Sequence, residues 1–105
     1  MASKREFVEF VAEQLSQAGD IRFKSMFGEY GIYCNGKFFG MVCDDMFFIK
    51  ITKKVLEEFP DIPKKSPYPG AKEYFYIEDL DDREFMCRIA VLTCENLPQP
   101  RKRRK

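Results

Sequence analysis

The spacing of hydrophobic residues at the start of the chain predicts an amphipathic helix. Ser3, followed three residues later by Glu6, is typical of a capping box, in which side chains and backbone satisfy the free amides of a helix start. Gly19 fits the position just after a helix end, where glycine is common. Between these limits, apolar residues recur three or four positions apart and predict a packed stripe at Phe7, Phe10, Val11, Leu15 and Ala18.

From residue 22 the pattern changes to the alternation and the β-forming residues that are typical of strands. Asn35-Gly36 separates two such runs and predicts a two-residue type I′ hairpin turn, because both central positions of that turn need a positive φ. Asp44-Asp45 predicts a second tight hairpin, and Gly28-Glu29 a bend after an earlier strand at 22–27. The segment as a whole therefore predicts an antiparallel meander of four strands.

The second half of the chain predicts two more helices and one more strand. Thr52 begins a short helix over 52–59, and the stretch 60–70, with four prolines, must be a loop. A strand over 72–77 and a final helix capped by Asp81 follow. The order α-β-β-β-β-α-β-α predicts an α+β fold of two layers, in which helices pack on one face of an antiparallel β-meander sheet.

Counting outward from the two turns assigns each strand residue to one face of the sheet, because side chains alternate along a strand. This register pairs Ile32 with Phe39 and Gly31 with Gly40. We expect the face without a central charge, where the two glycines lie side by side, to be the core beneath the helices. That predicted core face holds Gly31, Tyr33, Phe38, Gly40, Val42, Phe47, Ile49 and Ile51.

The opposite predicted face carries Cys34, Lys37 and Lys50, and we expect it to be open. It also gathers five large apolar residues, and an exposed patch of that kind usually marks an interface. We therefore predict self-association, as a homodimer, or contact with another protein. The candidate interface residues are Tyr30, Ile32, Phe39, Met41 and Phe48.

Composition and charge indicate a single globular domain, which we assign to 3–97, followed by a disordered basic tail at 98–105. The chain has 18 basic and 17 acidic residues, but its last five residues are all basic, so the preceding part is mildly acidic. That balance argues against a folded part built around phosphate binding. The tail has two interpretations, a nucleic-acid contact or a solvated end without a partner; its cations are Arg101, Lys102, Arg103, Arg104 and Lys105.

The residue patterns that metal sites and nucleophilic catalysis usually require are missing from this sequence. The four cysteines include no C-x-x-C pair, and the chain has no histidine, so the spacing of a structural zinc site is missing. A cysteine or serine nucleophile would lack its usual histidine base. We therefore expect no enzyme activity, no metal and no cofactor, and we interpret the cysteines as buried free thiols.

The expected location is the cytoplasm. No apolar run approaches the length of a membrane span, and the first residues lack the pattern of a signal peptide. Free thiols fit a reducing compartment.

The block MFGEYGIYCNGKFFGMVCDDMFFIKI, residues 26–51, resembles the amino-terminal domain of the TfoX/Sxy family of bacterial competence regulators. That family's pattern is roughly M-F-G-G-x-G-x-Y, then a turn, a second strand and a strand of the type L-Y-L-K. Glu29 replaces the usual second glycine of the pattern, and Phe47, Phe48, Ile49 and Lys50 match the last strand in character. The residues that match the first part are Met26, Phe27, Gly28, Gly31 and Tyr33.

This resemblance implies a two-layer α+β domain, a regulatory role in transcription or competence, and no catalytic or ligand residues. Longer members carry a second, helical domain, whereas this chain ends at Lys105, so the resemblance implies a stand-alone module. Our leading interpretation is a non-enzymatic protein-interaction module. The alternatives are a nucleic-acid-associated accessory protein that uses its tail, and an enzyme or small-ligand binder.

Overall fold

The computed structural model describes residues 4–26 and 29–97. They form three helices and one antiparallel sheet with the strand order β1-β2-β3-β4-β6-β5. The predicted α+β class and the predicted order of elements are confirmed, with one short strand, β5, added. The elements are α1 Arg5–Gln14, β1 Ile21–Met26, β2 Glu29–Cys34, β3 Lys37–Cys43, β4 Met46–Ile49, α2 Lys53–Glu58, β5 Lys64–Lys65, β6 Tyr74–Ile77 and α3 Arg83–Asn96.

Helix α1 packs on the sheet through most of the predicted stripe. Val11, Leu15, Phe7 and Ala18 belong to the core or pack against it, whereas Phe10 lies outside the stripe and Val8 inside it. Val8, Val11 and Leu15 have no exposed surface, whereas Phe10 is 40% exposed. Val8, Val11 and Leu15 are spaced by three and four residues and so share one face, from which Phe10 is turned away by the 3.6-residue period. Lys4 holds the N-cap position, and the predicted cap at Ser3 lies outside the described residues.

The other two helices begin within two residues of the predicted sites, but their caps differ from the predictions. Thr52 holds the N-cap position of α2 without a side-chain cap bond, and its buried hydroxyl has no partner among the described residues. The N-cap of α3 is Asp82 rather than Asp81, because the Asp82 carboxylate accepts a hydrogen bond from Phe85 N at 3.1 Å. The packed face of α3 includes Met86, Ile89, Ala90, Leu92 and Thr93.

Both predicted hairpin turns are confirmed. Asn35 and Gly36 have φ of 52° and 84°, and Asp44 and Asp45 have φ of 55° and 57°, as a type I′ turn requires. The first turn is also tied to the chain before β1. Asp20 N donates to Asn35 Oδ1 at 2.9 Å, and Asn35 N donates to the Asp20 carbonyl at 2.9 Å.

The register between β2 and β3 departs from the prediction at a β-bulge. Cys34 pairs with Lys37 and Tyr33 with Phe38, as predicted, but Ile32 then pairs with Gly40 instead of Phe39. Phe39 is therefore an extra residue in β3, and its carbonyl accepts a hydrogen bond from Lys50 N at 2.8 Å. Because one inserted residue reverses the alternation, the predicted face assignment of β2 is wrong.

Gly40 also has a different role from the predicted one. The predicted pair of Gly31 with Gly40 does not form, and Gly40 instead lies tightly against the backbone of β4. A Cβ atom built on Gly40 would lie 2.4 Å from the carbonyl oxygen of Phe48. The glycine is therefore required by the neighbouring strand rather than by a helix above the sheet.

The helices cover only one face of the sheet. Buried residues from all three helices form a single cluster with one set of strand side chains, among them Ile32, Phe39 and Phe75. The buried residues of the opposite side form a second cluster, Met41, Cys43 and Phe48, which contains no helix residue. We call this opposite side the outer face of the sheet.

Candidate functional site

The structure divides the five predicted interface residues between the two faces of the sheet. Ile32 and Phe39 are fully buried in the helix-side core, and Tyr30 packs against that core. Only Met41 and Phe48 belong to the outer face, and they are 7% and 0% exposed. The prediction that the five form one open patch is therefore wrong, because the bulge turns β2 over relative to the register that the patch assumed.

The outer face instead holds aromatic side chains with cations beside them. Arg22 and Lys24 lie on it because Ile21 and Phe23, their neighbours in β1, pack against the helix-side core. The same alternation places Tyr74 and Tyr76 of β6 opposite to the buried Phe75 and Ile77. The outer-face residues used below are Arg22, Lys24, Tyr33, Phe38, Met41, Cys43, Met46, Phe48, Lys50, Lys65, Tyr74 and Tyr76.

The first half of the outer face holds a ring pair beside two cations. The rings of Tyr33 and Phe38 lie 5.5 Å apart between centroids, on paired positions of β2 and β3. The Lys50 ammonium lies 5.0 Å from the centre of the Phe38 ring, which is a cation–π distance. Arg22 pairs with Tyr33 across β1 and β2. A depression of about 370 Å³ opens here, lined by Asp20, Arg22, Phe23, Lys24, Tyr33 and Gly36.

The second half repeats this arrangement on β4, β6 and β5. The rings of Phe48 and Tyr76 lie 5.6 Å apart, and the Lys65 ammonium lies 5.3 Å from the centre of the Tyr76 ring. Lys65 Nζ also lies 3.7 Å from Met46 Sδ. Phe48 is fully buried beneath its neighbours, whereas Tyr76 and the adjacent Tyr74 are partly exposed. Tyrosine rings of this kind offer a flat apolar surface together with a hydroxyl group.

The arginines of both layers have carboxylate partners. Arg5, Arg83 and Arg88 of the helix layer are each paired with a glutamate of that layer. On the outer face, Arg22 is paired with Asp20, at 3.2 Å.

Lys24, Lys50 and Lys65 have no carboxylate within ion-pair distance among residues 4–26 and 29–97. Glu29 is the single acidic residue within the described strands. It lies at the margin of this face, where its carboxylate accepts a hydrogen bond from Asp44 N. The outer face therefore carries a local positive charge inside a body whose average is acidic.

Lys37, which was predicted on the open face, points toward the helix layer. Its ammonium donates to the carbonyl oxygens of Cys94 at 2.8 Å and Leu97 at 3.1 Å, at the end of α3. Backbone carbonyls at a helix C-terminus lack intrahelical donors and carry partial negative charge, so a lysine there satisfies both needs. Lys37 therefore stabilises α3 and is not part of the outer face.

The cysteines are all free in the structure, and Cys34, Cys43 and Cys94 are buried, as predicted. Burial, and the hydrogen-bonding neighbour Cys94, raise the pKa of the Cys34 thiol to about 12. Burial and the Glu29 carboxylate raise the pKa of Cys43 to about 11, and the Cys43 thiol donates to the Pro67 carbonyl at 3.3 Å. These neutral thiols act as packing groups, since the thiolate is the form that reacts or binds metal.

Four other findings bear on the predictions from the sequence. The part of the chain described by the structure contains no group of three or more potential metal ligands, and none of its helices has the length and apolar character needed to cross a membrane. A second depression, of about 430 Å³, lies near Phe59 and Tyr76 and is lined by four carboxylates, Glu58, Asp61, Glu78 and Asp79. The tail cations Arg101 to Lys105 lie outside the described residues.

The outer-face rings were missed as a site because the predicted register put Tyr33 and Phe38 in the core. One signal for them was present in the segment YFYI, residues 74–77. Its two tyrosines alternate with Phe75 and Ile77, so the hydroxyl-bearing rings had to share the side opposite to the core. No comparable signal separates the adjacent Phe38 and Phe39, because either ring could fill a core position.

Comparison with known proteins agrees with this fold. The model of the TfoX N-terminal domain matches residues 13–97. An uncharacterized 12.7 kDa protein in the trpE 5′ region of Spirochaeta aurantia is 31% identical over 105 residues, which cover 99% of this chain and 91% of the relative. The chain therefore belongs to the TfoX N-terminal domain family.

Proposed function

We propose that the protein is a non-enzymatic regulatory module of transcription that acts by binding a macromolecule through the outer face of its sheet. The observation that carries this proposal is the outer face itself, where partly exposed rings lie on a side that none of the described helices covers, with lysines that have no carboxylate partner among the described residues. Membership of the TfoX N-terminal domain family supports the regulatory role. The absence of histidine from the sequence fits a role in binding rather than in acid–base catalysis.

The predicted self-association stays a proposal, but fewer of the predicted interface residues now support it. Met41 and Phe48 remain on the outer face, but both are nearly or fully buried by their neighbours, so they offer little area to a second copy. A stable dimer needs several hundred square ångströms of buried surface on each partner. The outer face is better suited to a ligand that contacts separate rings and charges than to a continuous apolar contact.

The proposal includes a location in the cytoplasm, which four free thiols favour. The tail cations, Arg101 to Lys105, are a second candidate contact for a polyanionic partner. Their contribution would be independent of sequence and would weaken with added salt, because it releases counterions.

Transcript profiling in the native bacterium tests the regulatory role. We compare the wild type, a deletion of the gene, and a chromosomal double variant with Tyr33→Leu and Tyr76→Leu, which removes two rings while keeping apolar bulk. We expect the deletion to change a defined set of transcripts, competence genes among the candidates, and the double variant to change the same set. Phe10→Ala is the matched control, because Phe10 is an exposed ring on the helix layer.

Unchanged transcripts in the deletion strain would refute a regulatory role. If the deletion changes transcripts while the double variant, present at normal abundance, behaves as wild type, the outer face is not the functional surface. Abundance measured by immunoblot separates the loss of a contact from the loss of a folded protein.

A further inference from the structure

We infer that the outer face of the sheet is a binding surface for single-stranded nucleic acid, with bases stacked on Tyr33, Phe38 and Tyr76 and phosphates held by Arg22, Lys24, Lys50 and Lys65. This inference rests on the proposed function for the location of the site, and it adds the chemical class of the partner. The tail interpretation considered only the terminal cations, whereas this site lies within the folded sheet.

The first step of the inference concerns the rings. Proteins that bind single strands combine a positively charged surface with aromatic side chains on which successive bases stack, often on the open face of an antiparallel sheet. Here two aromatic pairs lie on neighbouring strands, Tyr33 with Phe38 and Phe48 with Tyr76. Phe38 pairs with Tyr33, and Met41, which pairs with Phe48 of the second half, pairs with Gly31, so the two halves are two ladder positions apart, about 7 Å at the usual rise per residue. The accessible rings are therefore separated along the sheet, as a strand of several nucleotides requires.

The second step concerns charge. Each exposed ring group has a cation beside it, with Lys50 at 5.0 Å from Phe38 and Lys65 at 5.3 Å from Tyr76. These lysines are not neutralised by carboxylates among the described residues. A lysine that lies over a ring can move to a phosphate when a base takes its place on the ring, so one residue pair serves both halves of a nucleotide.

The third step excludes duplex DNA as the better ligand. A duplex hides the faces of its bases inside the stack, so rings on a sheet surface gain nothing from it. The described outer face presents neither a helix nor a protruding β-ribbon that would enter a major groove. Its partly exposed rings match unstacked bases. A protein partner is the competing occupant. An acidic peptide with apolar side chains would match this face, but no feature of the described residues favours such a peptide over a nucleotide chain.

Fluorescence anisotropy with the full chain tests the inference. The probes are labelled oligonucleotides of about 12 nucleotides, a length within the usual site size, as single-stranded DNA, as single-stranded RNA and as the matching DNA duplex. We expect at least one single strand to bind about 10-fold tighter than the duplex, with the RNA and DNA arms separating the two sources. Tyr33→Leu and Tyr76→Leu together should weaken that binding by about 10-fold or more, because each lost stacking contact weakens binding several-fold or more.

The charge contribution is measured by the salt dependence of the same binding. In a variant with glutamine at the five tail positions, four phosphate contacts give a slope of about −3 in the logarithm of affinity against the logarithm of salt concentration, at about −0.7 for each contact. Lys50→Gln with Lys65→Gln should reduce the magnitude of the slope by about 1.4. The matched control is Lys53→Gln with Lys54→Gln, which removes two exposed cations of α2 and should leave ring-dependent binding unchanged.

A full-length variant with glutamine at the five tail positions, Arg101 to Lys105, separates the face from the tail. At low salt we expect this variant to bind the single strand more tightly than the duplex. The ring substitutions should still weaken its binding of the single strand. The inference is overturned if no single strand binds, if the duplex binds as well as the single strand, or if the tail substitutions abolish all binding while the ring substitutions do nothing. In each of those cases a transcript change in the cell would still support the regulatory role through another partner.

Discussion

Truncation of Phe39 to alanine should destabilise the protein far more than the same truncation of its neighbour Phe38. Phe39 is fully buried in the helix-side core, because the bulge turns it away from the outer face. Removal of a buried phenylalanine ring costs about 3–5 kcal/mol, which combines lost transfer energy with the energy of the cavity. A domain of this size has about 5–15 kcal/mol of total stability, so the variant should be close to the limit of folding.

Phe38 is a matched comparison because it is the same residue type, in the same strand, one position away. It is partly exposed and contacts Tyr33 and Lys50 on the outer face. Its loss should cost about 1–2 kcal/mol, since water fills the space and only ring and cation contacts disappear.

Urea unfolding followed by far-ultraviolet circular dichroism measures both variants. With a slope of about 1–3 kcal/mol per molar urea, the midpoint of Phe39→Ala should fall about 1 M or more below that of Phe38→Ala. The regular hairpin register without a bulge makes the opposite assignment, with Phe38 in the core and Phe39 outside. A larger loss for Phe38→Ala would therefore refute the bulge and, with it, the outer face as described.

Two further predictions follow from the packing. Gly40→Ala should cost about 1–3 kcal/mol in thermal unfolding, because its Cβ would lie 2.4 Å from the Phe48 carbonyl oxygen. Gly70→Ala meets no neighbouring atom, so its cost should come only from the strain of its φ of 89°. The stability should also fall as the pH rises above about 9, because Cys34 and Cys43 have folded pKa values of about 12 and about 11 against an ordinary 9.0.

The sign of the pH effect is fixed by proton counting. Between pH 9 and the folded pKa, the unfolded state has released thiol protons that the folded state retains, so alkaline pH favours unfolding. Below pH 9 both states are protonated, and this contribution to stability is complete. Urea midpoints at about pH 8 and pH 10.5 should differ less in a Cys34→Ala, Cys43→Ala variant than in the wild type, with Cys87→Ala as the control for a partly exposed thiol. An equal pH dependence in both proteins would contradict the assignment.

The turns and the element order could be predicted because they depend on local chemistry. Asn35-Gly36 determines a type I′ turn through the φ values that those two residues tolerate, and no distant contact alters that preference. The short strand β5 was missed because Lys64-Lys65 has no apolar residue and its strand conformation comes from pairing with β6.

The bulge could not be predicted for a different physical reason. Phe38 and Phe39 are identical in polarity and size, so the sequence offers two registers of similar local energy. The choice between them depends on long-range packing, in which Ile32 and Phe39 fill the space beneath the helices and Gly40 makes room for β4. The predicted patch depended on the same choice, so the regular register grouped residues that lie on two different faces of the sheet.

The hydrogen bonds of Lys37 fix the end of α3 relative to the sheet. Its ammonium holds the Leu97 carbonyl at the same end of the sheet as Tyr33 and Phe38, because Lys37 directly precedes Phe38 in β3. In the sequence, Arg101, the first of the tail cations proposed as a second contact, follows Leu97 by only four residues. A polyanion bound at the proposed ring site would then meet those cations at a raised effective concentration. Two weak contacts at this end of the molecule would act as one bivalent contact, and neutralising Lys37 would weaken their cooperation without touching either.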